Sequence, residues 1–330
     1  MKVLVTGGRS LLLREAARRL VARGETVVCL QRRPADLPAG VEQVLGDVRD
    51  RRLVAAASAG CDAVIHGAAR VGVTGSWEEF HSVNVEGTDC VIAAAREQGV
   101  SRMVHVSTPS VTHVGHALVA APAAPAATGR RGSFYAESKA LAERAALEAD
   151  SAVLGVVAVR PHLVWGPGDE QLVGRIVTRA RSGRLALVGG GTSLVESTYV
   201  DDAASALVAA LDAVGPGAVC AGRAYVIAGG EPRTVRELVE GICHAAGVEF
   251  APRNLSFAAA TRFGSVVENV WPMFREDEPP ITRFVAEQLG TAHWFDPRPA
   301  RTDLQWTPTV GIDEGLRRLA EWFATRSGQV

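Results

Sequence analysis

The sequence predicts an α/β fold: a doubly wound parallel sheet with a smaller C-terminal domain grafted onto it. Three observations carry this prediction. Apolar runs of strand length alternate with helix-length stretches through the first half of the 330 residues, the pattern of parallel strands joined by right-handed crossovers. The runs are apolar at consecutive positions, as strands covered on both faces must be. Past Gly166-Pro167-Gly168 the alternation becomes irregular. A hydrophobic fraction of 47% is ample for a core of this size.

Taken in order, residues 3–6 (Val-Leu-Val-Thr) are a strand that runs into Gly7-Gly8, and Leu, Ala and Arg over 12–22 make a helix. Residues 26–31 are β-branched and apolar, a second strand that ends on Gln31-Arg32-Arg33. Residues 41–45 are the third strand, closed by Gly46-Asp47-Val48, and 51–57 a short helix. Residues 63–66 are the fourth strand, followed by Gly67-Ala68-Ala69, and 77–98 a single long helix. The fifth strand is expected at 103–107, a helix at 135–149 and the sixth strand at 153–159. In the second half, helices are expected at 171–182, 201–213 and 235–246, with short strands at 186–188, 197–200 and 224–227. Residues 120–132, rich in Ala, Pro and Gly, read as a flexible loop just before the helix at 135, where an active-site lid would sit.

Residues 3–13 combine a strand, a glycine turn and a helix start. In the Rossmann-type arrangement such a turn lets backbone N–H groups and the helix N-terminus cradle a pyrophosphate. The dinucleotide fingerprint wants glycines at 7, 10 and 13, and the chain has Gly7, Ser10 and Leu13. Ser10 keeps a small hydroxyl able to donate to phosphate, and Leu11 and Leu12 open the helix beside it. Leu13 should push helix and strand apart. An ordinary strand-to-helix turn is the alternative. The second strand ends without an acid, and Arg9, Arg32 and Arg33 gather where a ribose 2'-phosphate would lie, which favours NADP(H), with NAD(H) as the second option. Solvated surface arginines are the competing explanation. Asp47, with Val48, is placed to reach an adenine, and Gly67, Ala68 and Ala69 are small enough to lie against the cofactor. Residues 1–165 therefore read as an NADP(H)-binding domain, with a strand near 223–228 as a candidate to complete its sheet, and 166–330 as mostly substrate-binding.

Tyr135-Ala136-Glu137-Ser138-Lys139 sets a phenol and an ammonium four residues apart on one helix face. The chain has only 3 Tyr, and its only lysines are Lys2 and Lys139. Such a pair can pass a proton to or from a carbonyl or alcohol oxygen, provided the lysine lowers the phenol's pKa by about three units from its usual value near 10. A surface Tyr beside a surface Lys is the alternative for the pentad alone. His105, His113 and His116 lack metal-ligand spacing and read as core or surface histidines, and no metal is expected.

Together with Thr6-Gly7-Gly8, Gly46-Asp47, His66-Gly67-Ala68-Ala69, Asn84-Val85-Glu86-Gly87-Thr88, Ser107-Thr108-Pro109-Ser110-Val111 and Arg160-Pro161 through Trp165-Gly166-Pro167-Gly168-Asp169, the pentad resembles the extended short-chain dehydrogenase/reductases. Their order and spacing match over the first half. Ser107 through His113, Val195 through Asp201, and Ile281-Thr282-Arg283-Phe284 through His293-Trp294 extend the match to the 3-beta-hydroxysteroid dehydrogenase-like branch, and within it to the NADPH-dependent reductases of 2-alkyl-3-oxoalkanoates in bacterial olefin biosynthesis. The resemblance implies reduction of the keto group of a lipid-like β-keto acid to the β-hydroxy acid. Tyr135 would be the acid, Lys139 its tuner and a bond to the nicotinamide ribose, and Thr108 the hydroxyl that orients the carbonyl, with Ser107 and Ser110 as fallbacks. It further implies that Pro161 and Leu163 receive the nicotinamide end, that Ser110, His162 and Thr198 face the substrate, and that Asn84 organises a helix-to-strand contact. Helices 77–98 and 135–149 would pack as a four-helix dimer interface, and enzymes of the same pathway are candidate partners. The alternatives are a hydroxysteroid dehydrogenase, a sugar-nucleotide epimerase or dehydratase, or a non-catalytic nucleotide-binding module.

Composition narrows the field further. A net charge of −1 argues against electrostatic capture of nucleic acid. The 5 Cys are scattered, without metal spacing, which suits reduced thiols and a cytoplasmic protein. A strand starting at Lys2 leaves no room for a leader, and no apolar run is long enough to span a bilayer. Residues 255–274 and 280–295 are rich in Phe, Trp, Val and Leu, suited to a cap over an apolar substrate or a sterol-like body. The small domain's own core, or a helix lying on a membrane surface, would use the same residues. Arg160 and Arg175 are candidates to pair with a substrate carboxylate.

Overall fold

The computed structural model describes residues 1–72, 74–112, 115–129, 133–270 and 282–327. Its centre is a seven-stranded parallel sheet: β1 (Lys2–Thr6), β2 (Thr26–Gln31), β3 (Val41–Leu45), β4 (Ala63–His66), β5 (Arg102–Val106), β6 (Gly155–Pro161) and β7 (Arg223–Ile227). The spatial order is β7-β6-β5-β4-β1-β2-β3, so the chain reverses direction across the sheet between β1 and β4. The strand near 223–228 does join this sheet, pairing Arg223–Ile227 with the sixth strand.

Alternate side chains of each strand enter two separate cores, as the pleat requires. Val3, Val5, Val27, Cys29, Ala63 and Ile65 pack against helix α1 (Leu11–Ala22) and against α7 (Val200–Ala213). Leu4, Val28, Leu30, Val64 and Val156 pack against α2 (Arg51–Ser58), α4 (Gly87–Glu97) and α5 (Phe134–Glu148). The helix expected over 77–98 is three segments end to end: α3 (Trp77–His81), a π-helical step Ser82–Glu86 and α4. In that step the Gly87 N–H reaches back five residues to the Ser82 carbonyl. No glycine or proline within the step marks it in sequence. It coincides with tertiary bonds on Asn84, whose amide grips the backbone of Arg70 at both Arg70 N (2.7 Å) and Arg70 O (3.1 Å).

A third core, around Trp165, Leu187, Tyr199, Leu238, Ile242 and Leu319, belongs to the C-terminal half. It is packed by α6 (Val173–Arg181), α8 (Val235–Ala245) and the helix Ile312–Ser327. Beside it lies a four-stranded sheet whose edge is Leu118–Ala121, paired in parallel with His293–Phe295. The stretch expected to be loop from 120 onward thus begins as a strand. Its partner lies far away in sequence, and the bond from Leu118 N to Ala292 O (2.8 Å) fixes it. Among the described residues no helix is long and apolar enough to cross a membrane.

Candidate active site

Parallel strands expose their carboxyl ends to one crevice, and ligands bind where the strand order reverses. Thr6, His66 and His105 sit side by side in register near those ends of β1, β4 and β5. Gly7 turns the chain out of β1 with φ of +84°. A Cβ there would lie 2.9 Å from Ala68 N, so only glycine brings the turn this close to the end of β4. Ser10 is the N-cap of α1, its Oγ accepting from Leu13 N (3.3 Å), which engages one lone pair and leaves its proton for a ligand. Leu11 packs towards the C-terminal core and Leu12 towards the α1 core.

Leu13 does not push helix and strand apart. It is 3% exposed within the core. Its Cδ2 stands 2.8 Å from the point where a side chain on Gly67 would begin. The close approach that the fingerprint assigns to a glycine on the helix is supplied by Gly67, just past the opposite strand β4. The turn therefore fits a dinucleotide: a glycine cradle, a helix N-terminus, and the buried Gln31 amide at the end of β2, whose Oε1 and Nε2 have no hydrogen-bond partner among the described residues. Arg9, Arg32 and Arg33 are exposed around it. Asp47 stands in a partly exposed ion pair. Both its oxygens bind Arg49 (2.9 and 2.8 Å), which holds the carboxyl below the usual range and occupies it. Val48 is buried, packed against Gly87 in the core rather than open to a ligand. Gly67, Ala68 and Ala69 are half-buried along the turn.

The proton-handling residues come together beyond β5. Thr108 caps a short 3-10 turn, Pro109–Val111, and its hydroxyl donates to Ser110 Oγ (3.2 Å). Turned instead toward the phenol of Tyr135, the same hydroxyl favours its ionised form. Tyr135 lies in the first turn of α5, which Ser133 caps. One turn on, the buried Lys139 donates to Val106 O (2.7 Å) and lies 3.4 Å from His105 Nε2. Burial pushes Lys139 down to about 8, opposed by Glu143. Burial pushes the Tyr135 phenol up, and Thr108 pulls it partly back. The Lys139 ammonium is here turned to the β5 backbone. Ser107 is buried, its hydroxyl without a hydrogen-bond partner among the described residues.

Two expected substrate contacts are spoken for. Thr198 is fully buried and its hydroxyl donates to His162 O (2.7 Å) and Ile227 O (3.1 Å), so it fastens backbone instead of meeting a ligand. Arg160 is buried in a two-pronged pair with Glu143 and donates to Ala124 O (2.8 Å), anchoring the loop before α5. Arg175 donates to Gln171 Oε1 (2.9 Å). His162 meets His293 and Phe295 edge-on, with ring centroids 4.8 and 5.1 Å away. Pro161 ends β6, and Leu163 beyond it holds φ of +41°, strained for a branched side chain, as backbone at ligand sites often is. His113 and parts of the loop at 120–132 and of the aromatic stretches at 255–274 and 280–295 lie outside the described residues. Sequence reasoning missed Gln31, Thr88 and Ser138, polar residues that burial singles out. A polar side chain at a strand end or on a helix's inner face was the available signal.

Three comparisons bear on this site. The model of the NAD dependent epimerase/dehydratase family matches residues 3–228. The 2-alkyl-3-oxoalkanoate reductase of Stenotrophomonas maltophilia (strain K279a) is 48% identical over 324 residues, covering 97% of this chain and 98% of the relative. The enzyme of the same name from Shewanella oneidensis is 37% identical, covering 96% and 84%. Among solved structures, a double mutant of the dTDP-glucose 4,6-dehydratase DesIV from Streptomyces venezuelae, with NAD bound, superposes with a TM-score of 0.74 at 25% identity, covering 100% of this chain and 98% of that one.

Proposed function

The chain belongs to the NAD dependent epimerase/dehydratase family, the extended short-chain dehydrogenase/reductases, and on that premise we propose that it is an NADP(H)-dependent reductase converting a 2-alkyl-3-oxoalkanoate to the 3-hydroxy acid. The observation that carries this reading is the 48% identity, end to end, to a reductase of that name. The exposed arginines at 9, 32 and 33, with no acid at the end of β2, support NADP(H) over NAD(H).

When bound, the reduced nicotinamide supplies the hydride. Gly7, Ser10 and the start of α1 hold the phosphates, with Pro161 and Leu163 at the nicotinamide end. Tyr135 gives its proton to the substrate oxygen, and its upward shift keeps it protonated for that task. Thr108, within reach of both Tyr135 and Ser110, orients the same oxygen. Lys139, on the same face of α5, opposes the charge left on the phenolate. His162 packs with His293 and Phe295 behind the proposed substrate side, all three buried. The enzyme acts in the cytoplasm, a reading supported by free cysteines throughout. It forms a homodimer through α3–α4 and α5, where Trp77 and the exposed Phe134 lie together.

The deciding experiment is turnover with 2-alkyl-3-oxoalkanoates, hydroxysteroids and UDP-sugars, each with NADPH and NADH. Preference for a steroid or nucleotide sugar would refute the substrate. Tyr135→Phe should lower kcat by about 100-fold or more while NADPH binding, read by fluorescence, stays within about twofold. Retained turnover would remove Tyr135 from the mechanism.

A further inference from the structure

A chain of buried hydrogen bonds crosses the molecule from the glycine turn to the helix that carries Tyr135. It starts where Gly67 N and Ala68 N donate to Thr6 Oγ1 (3.2 and 3.1 Å). Thr6 Oγ1 meets His66 Nδ1 at 2.7 Å, and His66 Nε2 meets Thr88 Oγ1 at 2.9 Å. Thr88 donates to Asn84 O (2.6 Å). The Asn84 amide donates to Ser138 Oγ (2.9 Å), and Ser138 donates to Tyr135 O (3.0 Å). Thr6, His66, Asn84, Thr88 and Ser138 are all at most 1% exposed, so water cannot replace a lost link.

The proton count fixes the direction. The Thr88 hydroxyl has one proton and spends it on Asn84 O, so towards His66 it can only accept. His66 Nε2 must therefore carry the ring proton. Its Nδ1 is then the acceptor, and Thr6, whose oxygen already accepts two N–H groups, gives it its own proton. Each donor in the chain points the same way, and each partner is satisfied in one arrangement only. A charged ring would place a second proton against Thr6 and break that arrangement. Burial, with Lys139 nearby, holds the ring neutral.

We propose that His66, locked as the neutral Nε2–H tautomer, is a positioning residue that ties the turn receiving the cofactor phosphates to the first turn of the Tyr135 helix. The proposal rests on the reading of these two places as cofactor cradle and proton donor. Asn and Gln separate the two halves of the link. In His66→Asn the amide oxygen takes the place of Nδ1, so the bond from Thr6 stays and the bond to Thr88 goes. In His66→Gln the amide nitrogen takes the place of Nε2, so the reverse holds.

The test measures binding of NADPH or NADH, whichever the wild type holds tighter, together with kcat and amide exchange in the first turn of α5. His66→Asn should bind cofactor within about twofold of wild type, yet lose about tenfold in kcat and exchange faster at Tyr135. His66→Gln should weaken cofactor binding about tenfold and leave kcat within about threefold. Both quantities falling together in both variants, or neither falling, would overturn the proposal in favour of a packing role. If a variant does not fold, nitrogen-15 NMR of the wild-type ring, resolved from the other histidines among the 8, decides alone: a proton on Nδ1 refutes the link. Binding, exchange and tautomer need no substrate. A wild type that fails to reduce any β-keto acid would count against the proposed function and leave this test standing.

Discussion

Gly67→Ala should destabilise the protein through Leu13, and Leu13→Ala should relieve it. The added methyl would lie 2.8, 2.9 and 3.1 Å from Cδ2, Cγ and Cδ1 of Leu13. Leu13 is 3% exposed in the core with Val3, Val5 and Ile65, so its branch point has nowhere to retreat. Overpacking of this kind costs about 2 kcal/mol. Gly67 does not hold a positive φ, so the backbone tolerates Ala, and the stiffer unfolded chain returns about 0.5 kcal/mol. The net loss is about 1.5 kcal/mol, or a Tm lower by roughly 2 °C in a chain this long. Leu13→Ala alone should cost about 3 kcal/mol for the cavity it opens. In the double variant the new methyl occupies part of that cavity. The loss should then be smaller than the sum of the two by about 1.5 kcal/mol, read from urea melts as a double-mutant cycle. Losses that add to within about 0.5 kcal/mol would show that Gly67 and Leu13 are not the paired replacement for the fingerprint's third glycine.

Two further outcomes follow from the placement of single side chains. Replacing Arg32 and Arg33 together by Ala should weaken NADPH binding by about tenfold or more and leave NADH within about twofold. Equal loss for both cofactors, in fluorescence titrations at one salt concentration, would remove the arginines from 2'-phosphate recognition. Thr198→Val keeps the shape but deletes the donor to His162 O and Ile227 O, so it should cost about 1–2 kcal/mol of stability with KM unchanged. A raised KM at unchanged stability would return Thr198 to the substrate.

The strands were the most legible part of the sequence. Residues 26–31 and 63–66 coincide with β2 and β4, because strands buried on both faces are written as nearly unbroken apolar runs; 41–45 coincides with β3 although that edge strand is half exposed and carries Glu42 and Gln43. The π-helical step at Ser82–Glu86 was not legible, since what accompanies it is a grip on the Arg70 backbone from another part of the chain. The strand Leu118–Ala121 was hidden for the same reason, its partner being His293–Phe295. At the site, residue types pointed to chemistry but not to availability. Asp47 has the right side chain for an adenine but is paired with Arg49 two residues on, and Thr198 has a hydroxyl for a substrate but is bound to backbone that lies far away in sequence. Leu13 was read against a pattern confined to one turn, while its compensation, Gly67, lies just past a different strand.

The direction of the Tyr135 shift suits a proton donor. Oxidation of an alcohol needs a phenolate as base, whereas reduction of a ketone needs a phenol as acid. Burial raises the Tyr135 phenol and Thr108 offsets only part of that rise, so at neutral pH the residue is poised to give a proton. Lys139 is charged below about 8 and neutral above it, because burial lowers it from 10.5. Its ammonium opposes the phenolate formed by proton donation, and that help fades as pH rises through about 8. For keto-acid reduction, kcat/KM should therefore stay level from neutral pH to about 8 and fall beyond it. The falling limb belongs to Lys139 and precedes the loss of the Tyr135 proton. In Lys139→Met the rate should be lower throughout, with that limb absent. A limb that survives in Lys139→Met would assign it to Tyr135 itself and contradict the upward shift. Faster alcohol oxidation than ketone reduction at neutral pH, with both cofactor forms saturating, would contradict the reductive assignment directly.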